Sequence, residues 1–102
     1  MAEIIWTTEA LQDVEDIAEY ISKDSQKYAA RTVQKIFEAV EILQSHIRAG
    51  RIIPEFGADN LREIISGKYR IIYAIINEQK VDILTVHHGK RLFGNNPIFF
   101  EE

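Results

Sequence analysis

At 102 residues the chain has room for one hydrophobic core and not for two, and at this size no staple is obligatory. It contains no cysteine, which removes disulfide frameworks, thiol nucleophiles and thiolate metal sites together, and its 46% hydrophobic and 27% charged residues make an ordinary globule. The formal net charge of -4 argues, taken as a bulk quantity, against a protein that lives on nucleic acid, which usually carries excess lysine and arginine.

Glu3 to Trp6 is a short apolar run ending in Thr7-Thr8, a strand followed by a helix N-cap, with Glu9 placed for the positive end of the helix dipole. Leu11, Val14, Ile17, Ala18 and Ile21 then recur at spacings of three and four. That is one apolar face of an amphipathic helix, with Asp13, Glu15, Asp16 and Glu19 largely toward solvent. Ser22 to Ser25 interrupts the pattern with turn-forming residues. A second helix is predicted from near Ser25 to Ala49, over about 30 Å long, striped by Ala29, Val33, Ile36, Phe37, Val40, Leu43 and Ile47 and stopped by Gly50 in a left-handed conformation. The two helices should form an antiparallel hairpin.

Beyond Gly50 the pattern changes to strands. Ile53-Pro54 is extended and Gly57 to Asn60 is loop. Leu61 to Ile65 is a strand, Ser66-Gly67-Lys68 a turn, and Tyr69 to Ile76 a strand apolar on both faces and therefore central in its sheet. Val81 to His88 pairs with it through a tight connection at Glu78-Gln79. Gly89, Gly94 and Pro97 break the chain before an apolar tail, Ile98-Phe99-Phe100. The expectation is one α+β domain over residues 1–102, ordered β-α-α-β-β-β, with a helical hairpin packed on a mostly antiparallel sheet. Apolar runs far below the length of a membrane span, and nothing suggesting secretion, point to a cytoplasmic protein with no membrane partner.

The charge is unevenly spread. Residues 1–50 hold nine acids against five bases, whereas residues 51–102 balance at seven of each. Arg62, Lys68, Arg70, Lys90 and Arg91 fall in strands or at strand ends, where a sheet can gather them into an anion site or leave them dispersed in solvent. Arg70 interrupts an apolar strand and needs a partner. A two-residue turn at Ser66-Gly67 would set Glu63 opposite it, so an ion pair and a functional role both account for the arginine.

His87 and His88 are adjacent on a strand and point to opposite faces, so they cannot chelate one ion; no metal and no cofactor is expected. If Val81, Ile83 and Thr85 face the core, His87 turns inward with them and His88 lies on the other face beside Leu84 and Val86. Either ring could serve as a general acid or base, or simply cap a strand end. Phe93, Ile98, Phe99 and Phe100 are apolar enough to pack on the core or to dock another chain.

At Gly50 to Glu55, Leu61 to Ile64, Tyr69 to Tyr73 and His87 to Leu92, and in the early helix run Ala10 to Ile17, the chain resembles the RelE/ParE superfamily of bacterial toxins over nearly its whole length. The resemblance implies the toxin half of a type II toxin-antitoxin module, neutralised by a small antitoxin, and the same β-α-α-β-β-β fold. RelE-like members cleave messenger RNA in the ribosome, whereas ParE-like members poison DNA gyrase and carry no such chemistry. Arg70 and Arg91 occupy the two arginine positions of the RelE-like pattern, but the lysine pair is reduced to Arg62 beside Glu63, and the C-terminal tyrosine is replaced by phenylalanines that offer no proton. The resemblance therefore implies a gyrase poison, with Arg62, Arg70, Lys90 and Arg91 meeting the target and Phe93, Ile98, Phe99 and Phe100 meeting the antitoxin. The alternatives are a ribosome-dependent RNase using Arg62, Arg70, His87, His88 and Arg91, or a non-toxic module that only binds an antitoxin.

Overall fold

The structure is a computed structural model and describes residues 1–89. Strand β1 (Glu3–Trp6) lies parallel to the last strand and leads into helix α1 (Thr8–Ser22). Thr7 makes this corner. Its backbone N–H and hydroxyl donate to Ile83 O, and its Oγ1 accepts from Ala10 N as the N-cap, so one residue ties the sheet to the helix start. Ser25 caps helix α2 (Gln26–Ala39) in the same way through Tyr28 N. The remaining strands are β2 (Arg51–Ile52), β3 (Leu61–Ser66), β4 (Tyr69–Asn77) and β5 (Lys80–His88), and the five form one mixed sheet in the order β1-β5-β4-β3-β2. β4 is the central strand, and only the β1–β5 pair is parallel.

Both helices cover one face of the sheet. Ala10, Val14 and Ile36 pack there against Ile71, Tyr73, Val81, Ile83 and Val86, with the Trp6 ring tilted by 51° against Phe37 at 4.5 Å between ring centroids. A smaller cluster, Ile53 on Ile72 with Leu61 and Leu84, lies on the opposite face beneath the segment that follows β2. The α+β architecture, the hairpin and the largely antiparallel sheet are as the sequence indicated.

Five local expectations need correction. The second helix ends at Ala39, not Ala49: the chain continues as a 3-10 turn, Glu41–Gln44, and then as further turns. Val40, Leu43 and Ile47 are buried all the same, because spacings of three and four bring side chains to one side in either geometry. Gly50 is not a helix stop. A Cβ there would lie 2.6 Å from Glu63 O and 2.7 Å from the Tyr73 ring, so close approach explains the glycine. This is also where Tyr73 Oη accepts from Gly50 N and donates to Ile47 O, anchoring the turns to the central strand.

The β3–β4 turn is Gly67-Lys68, with Gly67 at φ 59° and Ser66 opposite Tyr69, one residue later than expected. Asp13 does not face solvent: its carboxylate accepts from Val86 N at 3.0 Å and from the Thr85 hydroxyl, covering the stretch of β5 that β1 leaves free beyond Ile83. Leu11 of the apolar stripe is 46% exposed.

Candidate functional site

Alternation places Arg51, Glu63, Arg70 and His87 on the face of the sheet away from the helices, through the pairs Arg51 with Glu63 and Arg70 with His87. Glu63 is diagonal to Arg70 rather than opposite it, since Ile65 holds that position, yet the ion pair forms. Arg70 Nε donates to Glu63 Oε1 at 2.6 Å, and Arg51 Nε donates to the other carboxylate oxygen. The Glu63 side chain is wholly buried. Arg70 also turns its two terminal nitrogens on Glu55 at 3.4 Å each, in fork geometry. Two guanidiniums thus meet two carboxylates, and the cluster is neutral.

The electrostatics follow from that arrangement. Burial disfavours the Arg70 charge, but the hydrogen bonds to Glu63 and Glu55 outweigh it and hold its pKa above the ordinary guanidinium value. Burial likewise acts to raise the Glu55 pKa, and the hydrogen bond from Arg70 overcomes it, leaving that carboxyl below its usual range. Sequence reasoning anticipated Glu63 as the partner of Arg70 but gave no role to Arg51 or Glu55, which lie on a two-residue strand and its following loop, where neither periodicity nor turn chemistry indicates direction.

Arg62 lies on the helix side of the sheet, paired with Tyr73, and is not brought together with Arg70. It is 12% exposed, and its guanidinium donates to Asp59 O, Asp59 Oδ1, Arg48 O and Gly50 O, stapling the loop that joins β2 to β3. Arg48 forks onto Glu78 nearby.

His87 is buried, as parity suggested, but not on the face of Val81 and Ile83. Ile72 pairs with Thr85 and Tyr73 with Ile83, so Leu84 is an extra residue, a β-bulge that exchanges the two faces of the strand beyond it. His87 consequently pairs with Arg70, and its Nδ1 lies 3.2 Å from His88 O. His88 stays on the side of Val86, exposed, with its ring edge-on to Tyr69 at 5.8 Å. Among the described residues no group of three or more His, Cys, Asp or Glu is placed to hold a metal. No described helix is long and apolar enough to cross a membrane. Lys90, Arg91, Phe93, Ile98, Phe99 and Phe100 lie outside the described residues.

Comparison with known proteins bears on this arrangement. The family model of the ParE toxin of the type II toxin-antitoxin system parDE matches residues 4–93. Y4kP of Sinorhizobium fredii is 34% identical over 86 residues, covering 84% of this chain and 86% of its own length. Toxin RelE2 of Caulobacter vibrioides is 28% identical over 92 residues, covering 90% of this chain and all of itself. In structure, a chain of the chromosomal ParDE system of P. aeruginosa matches with a TM-score of 0.72 at 22% identity, over 86% of this chain and 96% of that one. A chain of the RelBE2 toxin-antitoxin complex of Mycobacterium tuberculosis matches at 0.55 and 25% identity, over 85% and 96%. Fold, family model and relatives agree, and the chain belongs to the ParE toxin family of type II toxin-antitoxin systems, within the RelE/ParE superfamily.

Proposed function

We propose that this toxin arrests growth by poisoning DNA gyrase and that a cognate antitoxin neutralises it. The observation that carries the choice of target is the closed state of Arg70. Phosphate-directed chemistry on RNA needs cations open to the phosphates, and the Arg70 fork is held by Glu63 and Glu55. A phosphate brought to it would meet the buried Glu63 carboxylate or leave that charge uncompensated. His87, the imidazole beside Arg70 in the register, is 2% exposed and not positioned to exchange protons with a bound strand. A protein target fits this face better. An antitoxin partner is supported by the likeness to the chromosomal ParDE toxin-antitoxin system of P. aeruginosa and the RelBE2 toxin-antitoxin complex of M. tuberculosis.

The deciding experiment adds purified toxin to gyrase, relaxed plasmid and ATP, and in parallel to a translating extract. Loss of supercoiling with accumulation of cleaved plasmid is the expected outcome. Unimpaired supercoiling together with transcript cutting at fixed codon positions on ribosomes overturns the assignment in favour of RNA cleavage.

A further inference from the structure

The cations on the face of Arg70 are compensated, but a second set elsewhere is not. Tyr28, Arg31, Thr32 and Lys35 fall at positions 0, 3, 4 and 7 of one stripe of α2, which the helical repeat brings to a single side. That stripe faces the β3–β4 turn, and Ser66, Gly67, Lys68 and Tyr69 complete the lining of a cleft of about 200 Å³. Three of the lining residues are cations and none is acidic. Arg31, Lys35 and Lys68 are exposed, and among the described residues none of them forms an ion pair or a side-chain hydrogen bond. Two other clefts carry acids, Glu15 and Glu19 in the groove between the helices and Asp13 and Asp16 in the one between α1 and His88, whereas the adjoining cleft on the far side of Lys68 is lined by Arg51 and Arg70, whose guanidiniums are already held by Glu63 and Glu55.

The aromatic content narrows the ligand. Tyr28 is 53% exposed, and Tyr69, half-buried at the strand start, forms the other wall with its ring braced by the edge of His88. Unpaired cations alone would suit any polyanion. Cations set between tyrosine rings suit one whose charges are interleaved with flat π-faces, because each base can stack while its phosphate meets a neighbouring Lys or Arg.

We propose that the cleft between α2 and the β3–β4 turn binds a single strand of nucleic acid, stacking a base on Tyr28 and Tyr69 and holding its phosphates with Arg31, Lys35 and Lys68. The cleft involves none of Arg51, Glu63 and Arg70, and the proposal does not depend on gyrase being the target. It also reconciles a chain of net charge -4 with a nucleic-acid contact, since the acids that set the sum lie away from this cleft.

The test is fluorescence anisotropy of a labelled oligothymidylate of about twelve nucleotides with the purified full chain at low salt. Wild type is expected to bind with a dissociation constant in the micromolar range, with log affinity falling against log salt at a slope of about -2, the value for three neutralised phosphates on a single strand. Arg31→Ala, Lys35→Ala and Lys68→Ala together should remove most of the affinity and flatten the slope. Tyr28→Ala should weaken binding about fivefold or more with the slope retained. All four side chains are exposed, so the melting temperature should hold, and Lys23→Ala with Lys80→Ala serves as the control that leaves binding unchanged. Absence of binding by wild type at 50 mM salt overturns the proposal, as does equal weakening by the control pair. So does displacement by polyglutamate of matched charge with no effect of Tyr28→Ala, which would assign the cleft to an acidic protein segment.

Discussion

Replacing Arg70 by alanine separates a structural arginine from a target-binding one. In the wild type its side chain is 11% exposed and its Nε bonds Glu63, whose side chain is fully buried, at 2.6 Å. Removal leaves that carboxylate with Arg51 alone, and Arg51 is 61% exposed. Breaking a buried pair by deleting one partner costs about 3 to 5 kcal/mol, and a charged hydrogen bond is worth about 1.5 to 3. The surviving Arg51 contact brings the expectation to about 2 to 4 kcal/mol, from a total stability of about 5 to 15. For a domain of this size that corresponds to a fall in Tm of about 10 to 20 °C. Urea titration followed by circular dichroism gives the free energy directly, and Arg70→Met with Glu63→Leu should recover most of the loss, because the charges then left without partners, Arg51 and Glu55, are solvated and no buried charge is stranded. If Arg70→Ala alone unfolds within about 0.5 kcal/mol of wild type, the network does not hold the sheet. Lost toxicity at unchanged stability would then assign Arg70 to the target.

Three further outcomes are expected. Gly50→Ala forces a methyl group against Glu63 O and the Tyr73 ring and should cost about 1 to 3 kcal/mol in thermal or chemical melts; wild-type stability would show that the turn can yield. Glu55 has its folded pKa below the unfolded value, so its contribution is full above the ordinary glutamate range and is lost as pH falls through the folded pKa. Wild type should therefore exceed Glu55→Gln in Tm at pH 7 by a small margin, since the side chain is nearly half exposed, and the margin should shrink as pH falls below the ordinary glutamate range and through the folded pKa. Deletion of residues 93–102 should loosen antitoxin binding measured by calorimetry, and an unchanged affinity would remove the tail from that interface.

The sequence was most informative where a pattern has one geometric meaning. Tyr69 to Ile76 is apolar on both faces, and only a central strand covered on both sides accommodates that; Thr7 and Ser25 precede amphipathic runs and cap them. It was least informative where two geometries share a pattern. Val40, Leu43 and Ile47 satisfy a helix and a series of turns equally, which hid the end of α2. A bulge leaves no mark in hydrophobic spacing, so Leu84 exchanged the faces of His87 unannounced. Asp13 reads as a solvent-side acid until the free N–H of Val86 is known to lie beneath it. The pair Glu63–Arg70 was legible because a lone charge in an apolar strand must be answered nearby, although a turn shifted by one residue made the contact diagonal.

The parallel pairing of β1 with β5 also governs how the chain acquires its structure. Glu3 to Trp6 lie along Lys80 to Ile83, so the first strand has no partner until nearly all of the described chain has been synthesised. Contacts of such sequence separation impose a large loop-closure entropy before they return any stability, which slows folding. The helical hairpin and the β3-β4-β5 meander are local and can form earlier, but the core formed by Trp6, Ala10, Val14, Val81 and Ile83 is assembled only when the two ends of the domain meet. On the ribosome this toxin therefore completes its fold late, and β1 is the element whose alteration should most delay folding relative to the stability it contributes.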